Sequence, residues 1–315
     1  MNYIDFKDYY PDEQSCKLAY KGYRLEQGVI CKKCGSKEHY WLSGKEMFQC
    51  KNNTCRFRTS LKSGTVMENS KLSFYQWFLT MHLMTASKLN ISAIELQRQL
   101  RHRYYSPVFY MVQKLRLVMG KRDSGYILEG LCELDEGYFS HTDPLTVNEF
   151  TDKQEELKRG KGSQKKTKVL VMHSVQTAKL VLSKREYKHD TIPKYLKMTV
   201  IDDEKSKTID KAVKSTSKPT TRLITDDNKA YTNLKNLVTN HQPHNVSKVN
   251  AVKILPWVHK AISNSKSTLL AVHKGVSDRY MQNYLNEFCF KYNRRAFGER
   301  IMERLLIAAV VTTWY

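Results

Sequence analysis

Between Ser70 and Gly120 the apolar residues recur at mixed spacings of three and four, the period of helices buried along one side. Leu72, Phe74, Trp77, Phe78, Met81, Leu83 and Met84 give a wide apolar face to a first helix opening at Ser70. A second start is Ser92 with Glu95 three residues on, a capping-box pattern ahead of Leu96 and Leu100. A third is Ser106 followed by Pro107, with Tyr110, Val112, Leu115, Leu117 and Val118 behind it up to Gly120. Two short helices joined by a tight connection make a helix-turn-helix candidate. Its last helix is expected to turn Gln113, Lys114 and Arg116 outward, with Arg101, His102 and Arg103 in the preceding turn. Those charges suit phosphate and groove contact, and equally a solvated face of a plain helical hairpin.

From Gly125 the period changes to short strand-like runs. Leu128 to Phe139, Lys168 to Val175 and the brief Ala178 to Leu182 read as strands. Thr151 to Lys168 is polar and basic, holds Gly160 and Gly162, and has no hydrophobic period, which predicts a basic loop. Lys158, Arg159 and Lys161 in it are candidate nucleic-acid contacts, or simply solubilising charges. A helix near Thr191 to Met198, a strand at Thr221 to Thr225 and a helix after Asp227 follow. Helices at Ala261 to Val272, Ser277 to Tyr292 and Glu299 to Val311 close the chain. The pattern divides it into an N-terminal segment over 1–69, a small helical domain over 70–124, a mixed α/β domain over 125–298 with its basic loop at 151–168, and a C-terminal helix over 299–315.

Charge narrows the class of partner. In 315 residues, 53 Lys and Arg stand against 31 Asp and Glu, a net +22, so a polyanion is expected and nucleic acid leads. A membrane is not expected, because no apolar run approaches the roughly 18 residues of a spanning helix and the start lacks a signal-peptide pattern. An odd cysteine count, 7, suits a reducing compartment. The expected location is cytoplasmic, nucleoid-associated if the source is prokaryotic.

Four of the cysteines carry the sharpest local signal. Cys31 and Cys34 sit on one tight turn that Gly35 suits, and Cys50 and Cys55 supply a second pair a hairpin's length away. Two such knuckles complete a tetrahedral thiolate site for a structural Zn²⁺. The second pair, Cys-Lys-Asn-Asn-Thr-Cys, requires an enlarged knuckle. The competing reading is four incidental thiols.

The remaining chemistry lies in acidic residues set into apolar strands. Asp135 faces away from Leu134 and Glu136 in the first strand, and Asp226 ends the strand at 221–225. A carboxylate in such a place is costly without a compensating cation, and a hard divalent ion takes oxygen ligands. Two aspartates on adjacent strands can share one such ion or bridge a pair, the arrangement used in phosphodiester chemistry. A turn role for Asp226 and Asp227 is the alternative.

In order, the chain shows Cys31-x-x-Cys34, Cys50 with Cys55, Ser63-Gly64-Thr65, Leu134-Asp135-Glu136, Thr225-Asp226, and His259 with Ile262-Ser263-Asn264-Ser265-Lys266. These are followed by His273-x-Gly275-Val276-Ser277, Tyr284-Leu285-Asn286-Glu287-Phe288 and Asn293-Arg294-Arg295. The set resembles DDE-type insertion-sequence transposases, specifically the insertion sequence fifteen-ninety-five group. The resemblance implies an RNase H-like (retroviral-integrase-like) catalytic domain behind a zinc ribbon and a helix-turn-helix domain. It implies cleavage and strand transfer of DNA with Mg²⁺ or Mn²⁺, the ion held by Asp135, Asp226 and Asn264. Asn264 stands at the third acidic position, where it offers a carbonyl oxygen but no charge, and Lys266 matches a lysine that accompanies such an asparagine. The implied partners are terminal inverted repeats and target DNA, with a homodimer or higher oligomer holding two ends. A catalytically inactive or domesticated DNA-binding regulator is the alternative, and a nuclease of RNA–DNA hybrids shares the implied fold. His259 is a candidate for positioning a ligand or DNA, or an interfacial histidine. Glu287 is expected to pair with Arg294 or Arg295.

Overall fold

A computed structural model describes residues 2–142, 163, 165–177, 191–245 and 251–314, and divides into two compact units, residues 1–122 with 294–315 and residues 123–293. The first unit begins with two helices that the apolar pattern does not announce, α1 (Tyr3–Tyr9) and α2 (Glu13–Gln27). Capping boxes open both, Asn2 with Asp5 and Asp12 with Ser15. α2 buries Cys16, Tyr20 and Arg24, one residue per turn, a stripe too narrow and too polar for periodicity to reveal. Arg24 is tolerated inside because its guanidinium donates to the carbonyls of Leu61 and Ser63 at 2.9 and 2.7 Å.

A small antiparallel sheet follows, in the order β1 (His39–Leu42), β2 (Met47–Cys50), β3 (Arg58–Ser60). Helix α3 (Phe74–Ala86) starts later than Ser70 because two caps converge on its first turn. Ser73 accepts from the Gln76 N–H at 3.1 Å, and the Glu13 carboxylate of α2 accepts from the N–H groups of Phe74 and Tyr75 at 3.0 and 2.8 Å. Trp77, Phe78, Met81 and Met84 of α3 are all buried. Helix α4 (Ala93–Gln99) does open at Ser92, whose side chain accepts from the Glu95 N–H. Helix α10 (Ile301–Val311) packs on α2 and α3, and the Val66 N–H donates to its Ala309 carbonyl at 3.2 Å. The C-terminal helix therefore shares a unit with the first 122 residues.

The expected outward face of the third helix is not found. Helix α5 (Tyr105–Ser124) is 20 residues long, with Gln113 only 5% and Arg116 only 1% exposed. Val108, Met111, Val112, Leu115, Val118 and Met119 form a buried stripe along one side, and Gln113 and Arg116 on its flank are enclosed with it, while Tyr110 on the far side is exposed. Lys114 is half-buried, its Nζ 4.1 Å from the centre of the Trp314 ring. Arg101 and Arg103, in the turn between α4 and α5, are exposed.

The second unit is mixed α/β, built on a five-stranded sheet. Its strands are β4 (Leu131–Ser140), β5 (Lys166–Thr177), β6 (Thr191–Ile201), β7 (Arg222–Asp226) and β8 (Asn240–His244), in the order β6-β5-β4-β7-β8. β4, β5 and β6 pair antiparallel, and β7 runs parallel to both β4 and β8. The helix expected near Thr191 is the strand β6. Its Ile192, Leu196 and Met198 are buried, and pairing with β5 outweighs any local helical preference. Pro193 is accommodated because β6 is an edge strand and the register shifts between His173 and Val175 opposite it. Lys166 to Lys168, assigned by pattern to the basic loop, already belong to β5. Lys158, Arg159 and Lys161, and the short strand expected at 178–182, lie outside the described residues.

Alternation along β4 sorts the layers. Cys132 and Leu134 pack with Leu170, Met172, Ile209, Val213 and Leu223 on one face, covered by α6 (Ser206–Thr216) and a 3₁₀ helix at Lys229–Asn236. Phe139 packs with Val169, Val171, Leu196, Val258 and Leu285 on the other, covered by α8 (Pro256–His273) and α9 (Asp278–Asn293). The short α7 (Ala251–Ile254) leads into α8. Among the described residues no helix is long and apolar enough to cross a membrane.

Leu134 is fully buried between β5 and α6. Leu134→Ala is expected to cost about 2–5 kcal/mol, read as a lower urea midpoint. Tyr195→Ala, at an exposed position of β6, should shift it by less than about 0.5 kcal/mol.

Candidate functional site

Two turns bring the four cysteines together. In the first, the Gly35 N–H donates to the Cys31 carbonyl and the Cys31 N–H to the Ser36 carbonyl, both at 2.9 Å, with Gly35 at φ +73°. In the second, the longer Cys50–Cys55 spacing is folded back on Asn52. Its backbone carbonyl accepts from the N–H groups of Cys55 and Arg56 at 3.0 Å each, and its side chain accepts from both the N–H and the hydroxyl of Thr54. The Sγ atoms of Cys31 and Cys55 stand 3.7 Å apart, those of Cys34 and Cys50 3.5 Å, and all four lie within 4.8 Å of one another. Thiolates at about 2.3 Å from a shared tetrahedral zinc stand roughly 3.8 Å apart, so the cluster has the size and donor set for that ion.

The second constellation forms where β4 and β7 run side by side. Their register pairs Leu131 with Arg222, Cys132 with Leu223 and Glu133 with Ile224, and two further steps along both strands set Asp135 beside Asp226. Leu134 and Leu223 belong to the α6 face, so alternation turns Asp135 and Asp226 together toward the α8 face. Asp135 Oδ1 accepts from the Glu136 N–H at 2.8 Å, and Asp226 Oδ1 from the Asn228 N–H at 3.2 Å. Thr225, fully buried between them in sequence, donates to the Asp226 carbonyl and contacts His241 Nε2 at 2.9 Å.

Helix α8 brings His259 to this pair, its Nδ1 3.6 Å from Asp135 Oδ2. Burial holds the His259 pKa below the ordinary histidine value, and the Asp226 carboxylate opposes that shift. On the opposite face, burial pushes the Glu136 carboxyl up to about 7. The charges of Asp135, Asp226 and Glu204 push it the same way, against the Tyr231 hydroxyl. The middle of β4 thus gathers several carboxyl groups whose charges oppose one another.

α8 is itself anchored by a residue that motif reading does not single out. Glu133 is 2% exposed, and its Oε2 accepts from the N–H groups of Trp257 and Val258 at 2.8 and 2.9 Å, in the first turn of the helix. Burial raises its pKa to about 7 against those two bonds. The Trp257 indole N–H bonds the carbonyl and hydroxyl of Thr191 on β6, pinning the same turn to the far strand. Ile262 packs over Gly137, where an added Cβ would come within 3.3 Å of it. The available signal was a carboxylate two positions before Asp135 in a strand otherwise apolar on that face.

The other motif residues scatter around this core. Lys266 lies seven residues beyond His259, about 20° from it round the helix axis. Its Nζ is 5.5 Å from the Phe139 ring centre, and its pKa is lowered by burial and by Lys166 while Asp135 raises it. Asn264 is exposed and stands about 140° round the axis from His259, and its backbone carbonyl accepts from the Thr268 hydroxyl at 2.8 Å. Glu287 is fully buried, and Lys291 one turn on meets it at 3.1 Å.

Residues 127–293 match the family described as ISXO2-like transposase domain. No curated protein and no solved structure matches the chain.

Cys50→Ser is expected to drop bound zinc well below one ion per chain, measured by elemental analysis of purified protein. Glu133→Ala strands two buried N–H groups and should cost about 1–3 kcal/mol in chemical unfolding. Glu133→Gln keeps an acceptor and should cost less.

Proposed function

We propose that this chain, which belongs to the ISXO2-like transposase domain family over residues 127–293, cuts and joins DNA at an ion site formed by Asp135 and Asp226. The observation that carries the reading is the parallel register of β4 and β7, which, extended two residues, brings those carboxylates side by side on one face, inside the part of the chain that matches the family. A three-stranded antiparallel half continued by two parallel strands, with helices on both faces, supports an RNase H-like reading of the second unit.

Asp135 and Asp226 offer hard oxygen donors suited to Mg²⁺ or Mn²⁺, while Asn264, exposed about 140° round α8 from His259, is left out of the proposed ion set. When bound, the ion supplies charge neutralisation at the scissile phosphate and lowers the pKa of the attacking hydroxyl or water. The carboxylates hold their positions through the N–H groups of Glu136 and Asn228. Exposed Lys266 is proposed to meet a phosphate flanking the cut, carried by the packing of α8 on β4 and without a covalent intermediate.

The first unit is proposed to grip the element's terminal repeats. Arg101 and Arg103 in the exposed turn before α5, and the basic surface of the zinc-bearing sheet, are the contacts. Lys114 and Arg116 are left out of that surface by their burial. Lys158, Arg159 and Lys161 remain proposed contacts to flanking DNA. Two ends must be held at once, so a dimer or larger assembly is part of the proposal. The place of action is wherever the cell keeps its DNA, the cytoplasm in a prokaryote.

Asp135→Ala should lower Mg²⁺-dependent cleavage of labelled end DNA by at least about a thousandfold, while end binding in a gel-shift assay stays within about threefold. Wild-type cleavage rates in the variant would refute the site. Tight binding by the wild type with no product in Mg²⁺ or Mn²⁺ would point instead to a DNA-binding regulator.

A further inference from the structure

We infer that His259 is a nitrogen ligand of the divalent ion at Asp135 and Asp226, which tilts the site toward Mn²⁺ relative to a set of oxygens alone. The inference rests on the reading of those two carboxylates as an ion site, and adds to it a donor from the helix.

Three observations converge on this residue. The first is distance: His259 Nδ1 is 3.6 Å from Asp135 Oδ2, beyond a good hydrogen bond. Two donors about 2.1–2.2 Å from one ion, at angles of 90–110°, stand roughly 3.0–3.6 Å apart. The second is satisfaction. His259 Nε2 is buried without a hydrogen-bond partner among the described residues, while Nδ1 stands at ion-pair distance from the Asp135 carboxylate, and a half-buried imidazole in that condition calls for an explanation. The third is direction. On α8 the side chain that meets the aspartates is His259, while Asn264 lies about 140° away round the axis and is exposed.

The helix is not free to rotate and exchange the two. Glu133 fixes its first turn to β4, Trp257 ties that turn to Thr191, and Ile262 rests on Gly137. His259 is two residues from Trp257 in this clamped stretch, so its ring is held at the level of Asp135. Imidazole is a softer donor than carboxylate or carbonyl, and first-row transition ions gain from it more than Mg²⁺ does.

The experiment uses the full-length protein with its zinc loaded, and MnCl₂ or MgCl₂ alone as probes. Binding is followed by calorimetry, and the Mn²⁺ complex by pulsed electron paramagnetic resonance for coupling to ¹⁴N. The wild type should show a ¹⁴N signal that is absent from both His259→Ala and His259→Gln. His259→Ala should weaken Mn²⁺ binding by about tenfold or more, with a smaller effect on Mg²⁺. His259→Gln guards against a packing defect, and both variants are checked for zinc content and circular dichroism. An ion whose binding needs Asp135 but carries no ¹⁴N coupling, with His259→Ala binding Mn²⁺ as the wild type does, overturns the inference and leaves the carboxylate site standing. Loss of nothing in Asp135→Ala, or no bound Mn²⁺ in the wild type, overturns both.

Discussion

Strand β4 is enclosed on both faces and still carries Glu133, Asp135 and Glu136 in its middle, and the second unit is organised around how those charges are compensated. Each has a different answer. Glu133 takes two N–H groups from the start of α8, where a helix has donors to spare and a positive end. Glu136 is pushed toward its neutral form by burial. Asp135 is left beside Asp226 and the imidazole of His259, the one position of the three where a cation is the natural partner. Remove the compensation at any of them and the central strand becomes a liability to its own sheet.

This arrangement joins stability to chemistry. The carboxylate that holds α8 in place sits two residues from the one proposed to hold the ion, on the same face of the same strand. The helix cannot drift without uncovering a buried charge, and the donors it carries inherit that rigidity. Preorganisation of this kind is what phosphoryl chemistry asks of a protein, since positioning and electrostatics supply most of the catalysis. The match of residues 127–293 to a transposase family covers the unit in which this clamp is found.

The first unit solves a different problem. Its three-stranded sheet is too small to bury much apolar surface, and four thiols drawn to within 4.8 Å provide the means for a metal to complete its core. The enlarged second knuckle is accommodated by Asn52, whose side chain and carbonyl between them collect four hydrogen bonds. Around it, α2, α3 and α10 interlock through Glu13 at the N-terminus of α3 and the Val66 to Ala309 bond.

Local chemistry was legible without coordinates. The cysteine knuckles, the Ser92 cap, the alternation that turns Asp135 away from Leu134 and the strand ending at Asp226 all depend on neighbours a few residues away, and such signals survive in one dimension. What pairing and enclosure decide was not. β6 is a strand because β5 lies beside it, although its own residues tolerate a helix. Gln113 and Arg116 are inside because burial of α5 extends past its apolar stripe onto the flank, which polarity alone does not reveal. α2 went unseen because it buries a tyrosine, a cysteine and an arginine stem instead of an aliphatic stripe. The roles of Glu133 and His259 belong to the same class: each depends on a partner more than a hundred residues distant in the chain. Residue type and spacing state what a side chain can do, and only the folded packing selects which group it meets.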